Sequence, residues 1–149
     1  MENKGGCFSM SSIEFPYTTE KSRIFGNVKR PRMSISVFSK LDDNWVMIDD
    51  VLADTGADLT VLPRFIGELL IEDITTGEYT EIKGVVPTSV LIAFIHRDMR
   101  VKIDEKEFRQ PIAIADSNNV PSIFGRANGL DLFDANFIRG EKLTLSWDD

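Results

Sequence analysis

Apolar residues recur at every second position in several short runs of the chain, and this period limits the folds that can bury them. Met33, Ile35 and Val37 alternate with serines, and segment 142–147 alternates in the same way. Successive side chains of a strand point to opposite faces, so a period of two is typical of strands with one buried face. Turn signals such as Leu-Asp-Asp-Asn at 41–44 separate these runs. The pattern predicts a mostly β domain, built as a small barrel or a closed sandwich.

One segment, 63–73, follows the period of a helix instead. Four of its apolar residues fall on one helical face: Phe65, Ile66, Leu69 and Leu70. Pro63 can occupy the first turn of this helix, and Gly67 should weaken it. A second short helix is predicted after the strand-like residues 122–124.

Three further local predictions concern the second half of the chain. The apolar run 88–95 predicts a buried strand, and His-Arg-Asp-Met at 96–99 predicts a turn with an exposed histidine. Pro111 lacks a backbone donor, so we expect it at the start or edge of a strand rather than inside a ladder.

Length and charge restrict the classes of function. A chain of 149 residues fits one domain with a single core. We expect residues 1–22 to be a loosely ordered arm and residues 23–149 to be the folded domain. A net charge of −7 argues against nucleic acid as a partner, since phosphate binding needs a basic surface.

Cysteine and histidine are too few for a disulfide or a zinc site, because the chain contains only Cys7 and His96. We therefore expect no metal and no cofactor. The N-terminal residues contain no long apolar stretch, so we expect no signal peptide, no membrane partner and a cytoplasmic location.

The acidic residue Asp54 interrupts an apolar region, where it is followed directly by Thr55 and Gly56. One explanation is a local Asx turn, in which the carboxylate accepts backbone N–H groups. The other is catalysis, in which a carboxyl group is kept at the mouth of a core because its proton is used.

The residues around this turn favour catalysis. The run Asp-Thr-Gly-Ala-Asp-Leu-Thr-Val-Leu at 54–62 resembles the active-site signature of the retropepsin-like aspartic proteases. A second run, Ser-Ile-Phe-Gly-Arg at 122–126, resembles the family's second motif, a strand with Gly-Arg that leads into a C-terminal helix. The resemblance covers roughly residues 33–147 and implies a small closed β-barrel of retropepsin type.

The resemblance also implies a reaction and an assembly. Peptide hydrolysis by this family needs two aspartates that share one proton. This chain has one Asp-Thr-Gly and is too short for two homologous lobes, so a homodimer with one Asp54 from each subunit is implied. The expected substrate is a peptide or protein.

Roles for individual residues follow from the same resemblance. The catalytic turn would be Asp54, Thr55 and Gly56, with Thr55 bonded across the dimer axis. Gly125 and Arg126 would support the site, and Arg126 would pair with Asp58; the alternative for Arg126 is an ordinary surface arginine. A β-hairpin flap would begin at Gly84. The expected substrate-binding residues are Ala57, Asp58, Gly84, Val85, Val86 and Ile123.

Two alternatives remain open from the sequence. The chain has a single glycine in the flap segment and a proline at position 87, which suits a dimeric peptide-binding module without turnover. A small β-barrel with a coincidental Asp-Thr-Gly turn would be a monomer.

Overall fold

The computed structural model describes residues 10–84 and 88–149, and these residues form a mostly β protein. Twelve strands are present in the described residues: β1 (Met10–Pro16), β2 (Thr18–Ser22), β3 (Gly26–Arg30), β4 (Arg32–Ser39), β5 (Asn44–Ala53), β6 (Thr60–Leu62), β7 (Glu78–Lys83), β8 (Val90–Ile103), β9 (Lys106–Ala115), β10 (Ile123–Phe124), β11 (Asp134–Ile138) and β12 (Lys142–Asp148). One α-helix, α1 (Arg64–Leu70), and two 3-10 helices, Ile74–Thr76 and Leu130–Leu132, complete the elements.

The main sheet closes into a barrel. Its strand order is β4-β5-β10-β6-β9-β8-β7, and β4 also pairs with β8, which closes the ring and leaves β7 as an edge strand paired with β8. The closing contact pairs Ser36 with Lys102 and Val37 with Val101. The prediction of a small closed β-barrel is therefore confirmed.

The alternating runs lie in strands, as predicted. Met33, Ile35 and Val37 of β4 are almost fully buried, and the serines between them are partly exposed. In β12, Leu143 and Leu145 are fully buried in the same main core. None of the helices among residues 10–84 and 88–149 is long and apolar enough to cross a membrane.

The N-terminal residues differ from the expectation. A loosely ordered arm is wrong for residues 10–22, because they form β1 and β2. β1 pairs with β12 along its whole length, from Met10 opposite Asp148 to Pro16 opposite Lys142. The boundary of the protease domain at residue 23 stays a prediction.

Residues 96–99 are not a turn, because β8 runs straight through them. The register between β8 and β9 shifts between His96 and Met99. Two residues of β8 thus lie opposite Pro111 of β9, which is a β-bulge. Pro111 is inside the strand and not at its edge, and the bulge explains how the ladder tolerates its missing donor.

The histidine within this bulged strand is also not an exposed turn residue. His96 is half-buried, and its Nε2 lies 2.9 Å from the carbonyl oxygen of Ile74 in the first 3-10 helix. The ring therefore packs the helical segment 74–76 against β8.

Helix α1 is shorter than the predicted segment, and its buried face is different. Pro63 precedes the helix, which ends at Leu70. Phe65 and Leu69 are each 51% exposed, whereas Gly67 and Leu70 are buried. Position 67 faces inward and requires glycine, because a Cβ there would lie 2.3 Å from the Cγ2 of Ile114. The predicted second helix is only the 3-10 turn Leu130–Leu132.

Candidate active site

Asp54 lies directly after β5, where the chain leaves the barrel wall. Its backbone N–H donates to the carbonyl of Phe124 at 3.1 Å, which fixes the start of the turn on β10. Its Oδ1 accepts the N–H of Gly56 at 2.9 Å. This Asx hydrogen bond is expected whether or not the carboxyl group is catalytic, and it holds the carboxyl group in one orientation.

The exposure of the three turn residues suits contact with a second molecule. Asp54 is half-buried, whereas Thr55 and Gly56 are exposed in the single chain. A hydroxyl and a glycine backbone at the rim can therefore be reached from outside.

Strand β10 brings the second motif to this turn. It is inserted between β5 and β6, the two strands that the Asp-Thr-Gly turn connects. Ile123 lies opposite Leu52 in a parallel pair and opposite Val61 in an antiparallel pair. The two sequence motifs are thus neighbours in space, although residues 63–121 separate them in the chain.

Gly125 is required by the closeness of these two segments. A Cβ at this position would lie 2.4 Å from the backbone carbon and oxygen of Leu59, and 3.0 Å from the oxygen of Ala57. Backbone atoms cannot move aside cheaply, so a larger residue would push the two motifs apart. This contact supports the predicted structural role of Gly125.

Arg126 lies beside Asp58, as the sequence predicts, but it has a second acidic neighbour. Its backbone N–H donates to the oxygen of Ala57 at 2.9 Å. Its Nη1 lies 3.9 Å from Asp58 Oδ1, and its Nε lies 3.5 Å from Asp131 Oδ1. The side chain of Asp58 is 89% exposed, so this ion pair contributes little to folding.

Thr60 is a site residue that the sequence reasoning missed. Its side chain is fully buried, and its Oγ1 accepts the N–H of Gly125 at 3.1 Å. A hydroxyl in an otherwise apolar strand, in Leu-Thr-Val-Leu, was the available signal. Asp131 gave no such signal, because only the fold places it near Arg126.

Gly84, where the flap is predicted to begin, directly follows β7, and β7 pairs with β8 in a hairpin. The N–H of Gly84 donates to the oxygen of Ser89 at 2.9 Å and closes the hairpin loop. Val85 and Val86, two predicted substrate-binding residues, lie outside the described residues.

A second apolar cluster lies under this hairpin. Val61, Ala93, Ala113 and Ala115 are buried in it, and several partly buried residues pack against them: Leu59, Ile82, Leu91, Ile95, Val120 and Ile123. Ile82 and Leu91 come from the β7–β8 hairpin, and Ile123 comes from β10. The predicted substrate-binding residue Ile123 therefore belongs to the same apolar cluster as β7 and β8, and its strand lies next to the Asp54 turn.

Comparison with known proteins agrees with this geometry. No family model matches the sequence, and no curated protein matches it. The model is similar to the crystal structure of a retropepsin-like aspartic protease from Rickettsia conorii, with a TM-score of 0.60 and 20% identity over 95% of this chain and 96% of that one. The chain has the retropepsin-like fold. A second similar structure is EIAV protease complexed with the inhibitor HBY-793, at a TM-score of 0.47 and 26% identity over 66% of this chain and 83% of that one.

The retropepsin-like fold accounts for the arrangement of the site but does not assign its chemistry. The likeness covers 95% of this chain, so it extends over both the closed barrel and the β7–β8 hairpin. The roles of Asp54, Thr55 and Gly56, and of the substrate-binding residues, stay predictions.

Proposed function

We propose that the chain is a homodimeric aspartic endopeptidase in which each subunit contributes one Asp54. The observation that carries the proposal is the insertion of β10 between the strands flanking Asp54. It holds the Gly-Arg motif against the Asp-Thr-Gly turn through the bond between Arg126 N and Ala57 O. An Asp-Thr-Gly turn that occurred by chance would not require the second motif beside it, so the contact favours the active-site interpretation.

The proposed chemistry depends on two carboxyl groups close together. Two such groups about 3 Å apart cannot both be ionised, so they share one proton. The ionised carboxylate takes a proton from a water molecule, whose oxygen attacks the peptide carbonyl carbon. The protonated carboxyl group donates to the carbonyl oxygen. A proton then passes to the amide nitrogen, and the C–N bond breaks to give an acid and an amine.

We propose that the substrate binds in an extended conformation between the Asp54 turn and the β7–β8 hairpin. Exposed backbone at Gly56 and Gly84 can add main-chain hydrogen bonds, as in other strand-addition complexes. The apolar cluster that includes Ile123 favours apolar side chains next to the cleaved bond.

The decisive experiment compares wild type with Asp54→Asn on a library of proteome-derived peptides. We expect Asp54→Asn to abolish cleavage while the protein stays folded and dimeric. Asp43→Asn is the matched control, because Asp43 is an exposed turn residue at a positive φ of 53° that asparagine tolerates. The control should cleave like wild type.

Mixing the two proteins tests whether the site is shared. If each active site needs two copies of Asp54, activity falls with the square of the wild-type fraction as Asp54→Asn subunits are exchanged in. A linear fall would show one complete site per chain. Peptide binding by wild type without any hydrolysis would indicate the non-catalytic binding module instead.

A further inference from the structure

The hairpin of β2 and β3 carries the two most exposed large apolar side chains among the described residues. Its strands pair only with each other in a separate two-stranded sheet, from Thr18 opposite Arg30 to Ser22 opposite Gly26. At its tip, Ile24 is 82% exposed and Phe25 is 75% exposed. Adjacent apolar side chains at the end of a projecting hairpin are typical of a contact with another molecule.

This hairpin is held firmly against the barrel at its base. Arg32, the first residue of β4, donates to both carboxylate oxygens of Glu20 in β2, at 2.7 Å and 3.1 Å. Its third contact goes to the carbonyl oxygen of Asp50 at 3.3 Å. The Arg32 side chain is only 18% exposed, and its hydrogen bonds lower the pKa of Glu20. A two-point ion pair of this kind fixes direction as well as distance.

The base of the hairpin is next to the proposed catalytic turn. The carbonyl of Pro31, which follows β3, accepts the N–H of Ala53 at 3.0 Å, and Ala53 directly precedes Asp54. In the proposed dimer the two-fold axis passes between the two Asp54 carboxyl groups, so each hairpin starts close to that axis. The six residue-to-residue steps from Pro31 to Phe25 span up to about 20 Å, which is enough to reach the other subunit.

The charge of the hairpin complements a second copy of the chain. The hairpin, residues 18–30, has one acidic residue, Glu20, and four cations: Lys21, Arg23, Lys29 and Arg30. Its net charge is +3 and that of the whole chain is −7, so the rest of the chain carries a net charge of −10. Asp58 and Asp131 are exposed carboxylates on either side of Arg126, whose backbone is bonded to the segment that follows the Asp54 turn. Opposite charges favour this contact over approach to an anionic lipid surface, which the acidic body would oppose.

We infer that the β2–β3 hairpin is a dimerisation arm, which buries Ile24 and Phe25 against a second copy of this chain. The inference rests on the proposed function, because the position of the two-fold axis comes from the shared Asp54 pair. Each dimer has two such arms, and each arm contributes two apolar side chains and its cations to the interface.

The first test measures the dimer dissociation constant by sedimentation equilibrium for Ile24→Ser/Phe25→Ser. We expect the constant to rise at least tenfold, because four apolar side chains per dimer lose their contacts. Leu41→Ser/Met47→Ser is the matched control, since these residues are also exposed, at 47% and 69%, but lie away from the hairpin. The control should have the same dimer dissociation constant as wild type. At protein concentrations that restore the dimer, the arm variant should recover the wild-type kcat.

The second test locates the partner of the arm directly. A photo-crosslinking residue replaces Phe25 in the Asp54→Asn background, and ¹⁴N and ¹⁵N subunits are mixed before illumination. We expect crosslinked peptides that join one ¹⁴N and one ¹⁵N chain. This readout does not depend on catalysis.

The outcomes separate the arm from the proposed function. An unchanged dissociation constant in the arm variant, or crosslinks only within one chain, would refute the role of the hairpin in dimerisation, even if Asp54→Asn abolishes cleavage. A fully active wild type that is monomeric would overturn both. A third outcome is that wild type, but not the arm variant, floats with vesicles of phosphatidylcholine and phosphatidylglycerol, while the dimer dissociation constant is unchanged. This result would show that the hairpin tip binds lipid and would refute the dimerisation arm.

Discussion

Thr60 offers a sharp test of how the active-site turn is held, because its hydroxyl is the buried acceptor for the Gly125 N–H. Replacing Thr60 with valine keeps the shape of the side chain and removes that acceptor. A buried donor left without a partner costs about 1–3 kcal/mol. We therefore expect Thr60→Val to lower the free energy of unfolding by about 2 kcal/mol.

Two further substitutions separate the hydrogen bond from packing. Thr60→Ser keeps the hydroxyl and loses one methyl group, which should cost about 1 kcal/mol. Thr60→Ala loses both and should cost about 3 kcal/mol. The expected order of stability is wild type, serine, valine, alanine.

The assay is urea unfolding followed by tryptophan fluorescence, since Trp147 is only 6% exposed and reports on the core. All variants must be compared at one protein concentration, because dimerisation is linked to folding. For a chain of this size, about 2 kcal/mol corresponds to a fall in Tm of about 4–8 °C. If packing alone matters, valine will match wild type and serine will be the less stable of the two. That result would refute the role assigned to the hydroxyl.

Two other predictions follow from single contacts. Gly67→Ala should destabilise the protein by about 1–2 kcal/mol, because the alanine Cβ would overlap the fully buried Ile114, although alanine favours helices. Urea unfolding measures the change, with substitution of the exposed Glu68 by alanine as a control. A more stable Gly67→Ala variant would contradict the prediction. The hydrogen bond from Arg32 lowers the pKa of Glu20 below its ordinary value of 4.5. The stability that this ion pair contributes to folding is therefore fully present above about pH 4.5, and it is lost as the pH falls through the lowered pKa. Unfolding free energies measured from pH 6 to pH 3 should therefore fall less steeply for Glu20→Gln than for wild type, and equal slopes would show that this ion pair is not formed in solution.

Local patterns determined much of the fold. The alternation at Met33, Ile35 and Val37 identified β4 because the direction of side chains in a strand depends only on neighbouring residues. The Asx hydrogen bond at Asp54 spans two residues, so the sequence was sufficient to place it.

Contacts between distant segments decided the features that the sequence did not predict. Pro111 is inside β9 only because β8 bulges opposite to it, and no local signal around the proline describes another strand. The pairing of Met10–Pro16 with β12 joins the two ends of the chain, where local composition suggested loose order.

The candidate site shows the same division. The sequence by itself determined the Asp-Thr-Gly turn, because its residue types favour an Asx turn, and it identified the Gly-Arg motif through the family resemblance. Only the tertiary structure decided that Gly125 must be glycine and that Asp131 shares Arg126, since both depend on segments brought together by the insertion of β10. Packing between strands that are far apart in the chain depends on the shape of the whole barrel, and no local pattern of residues encodes it.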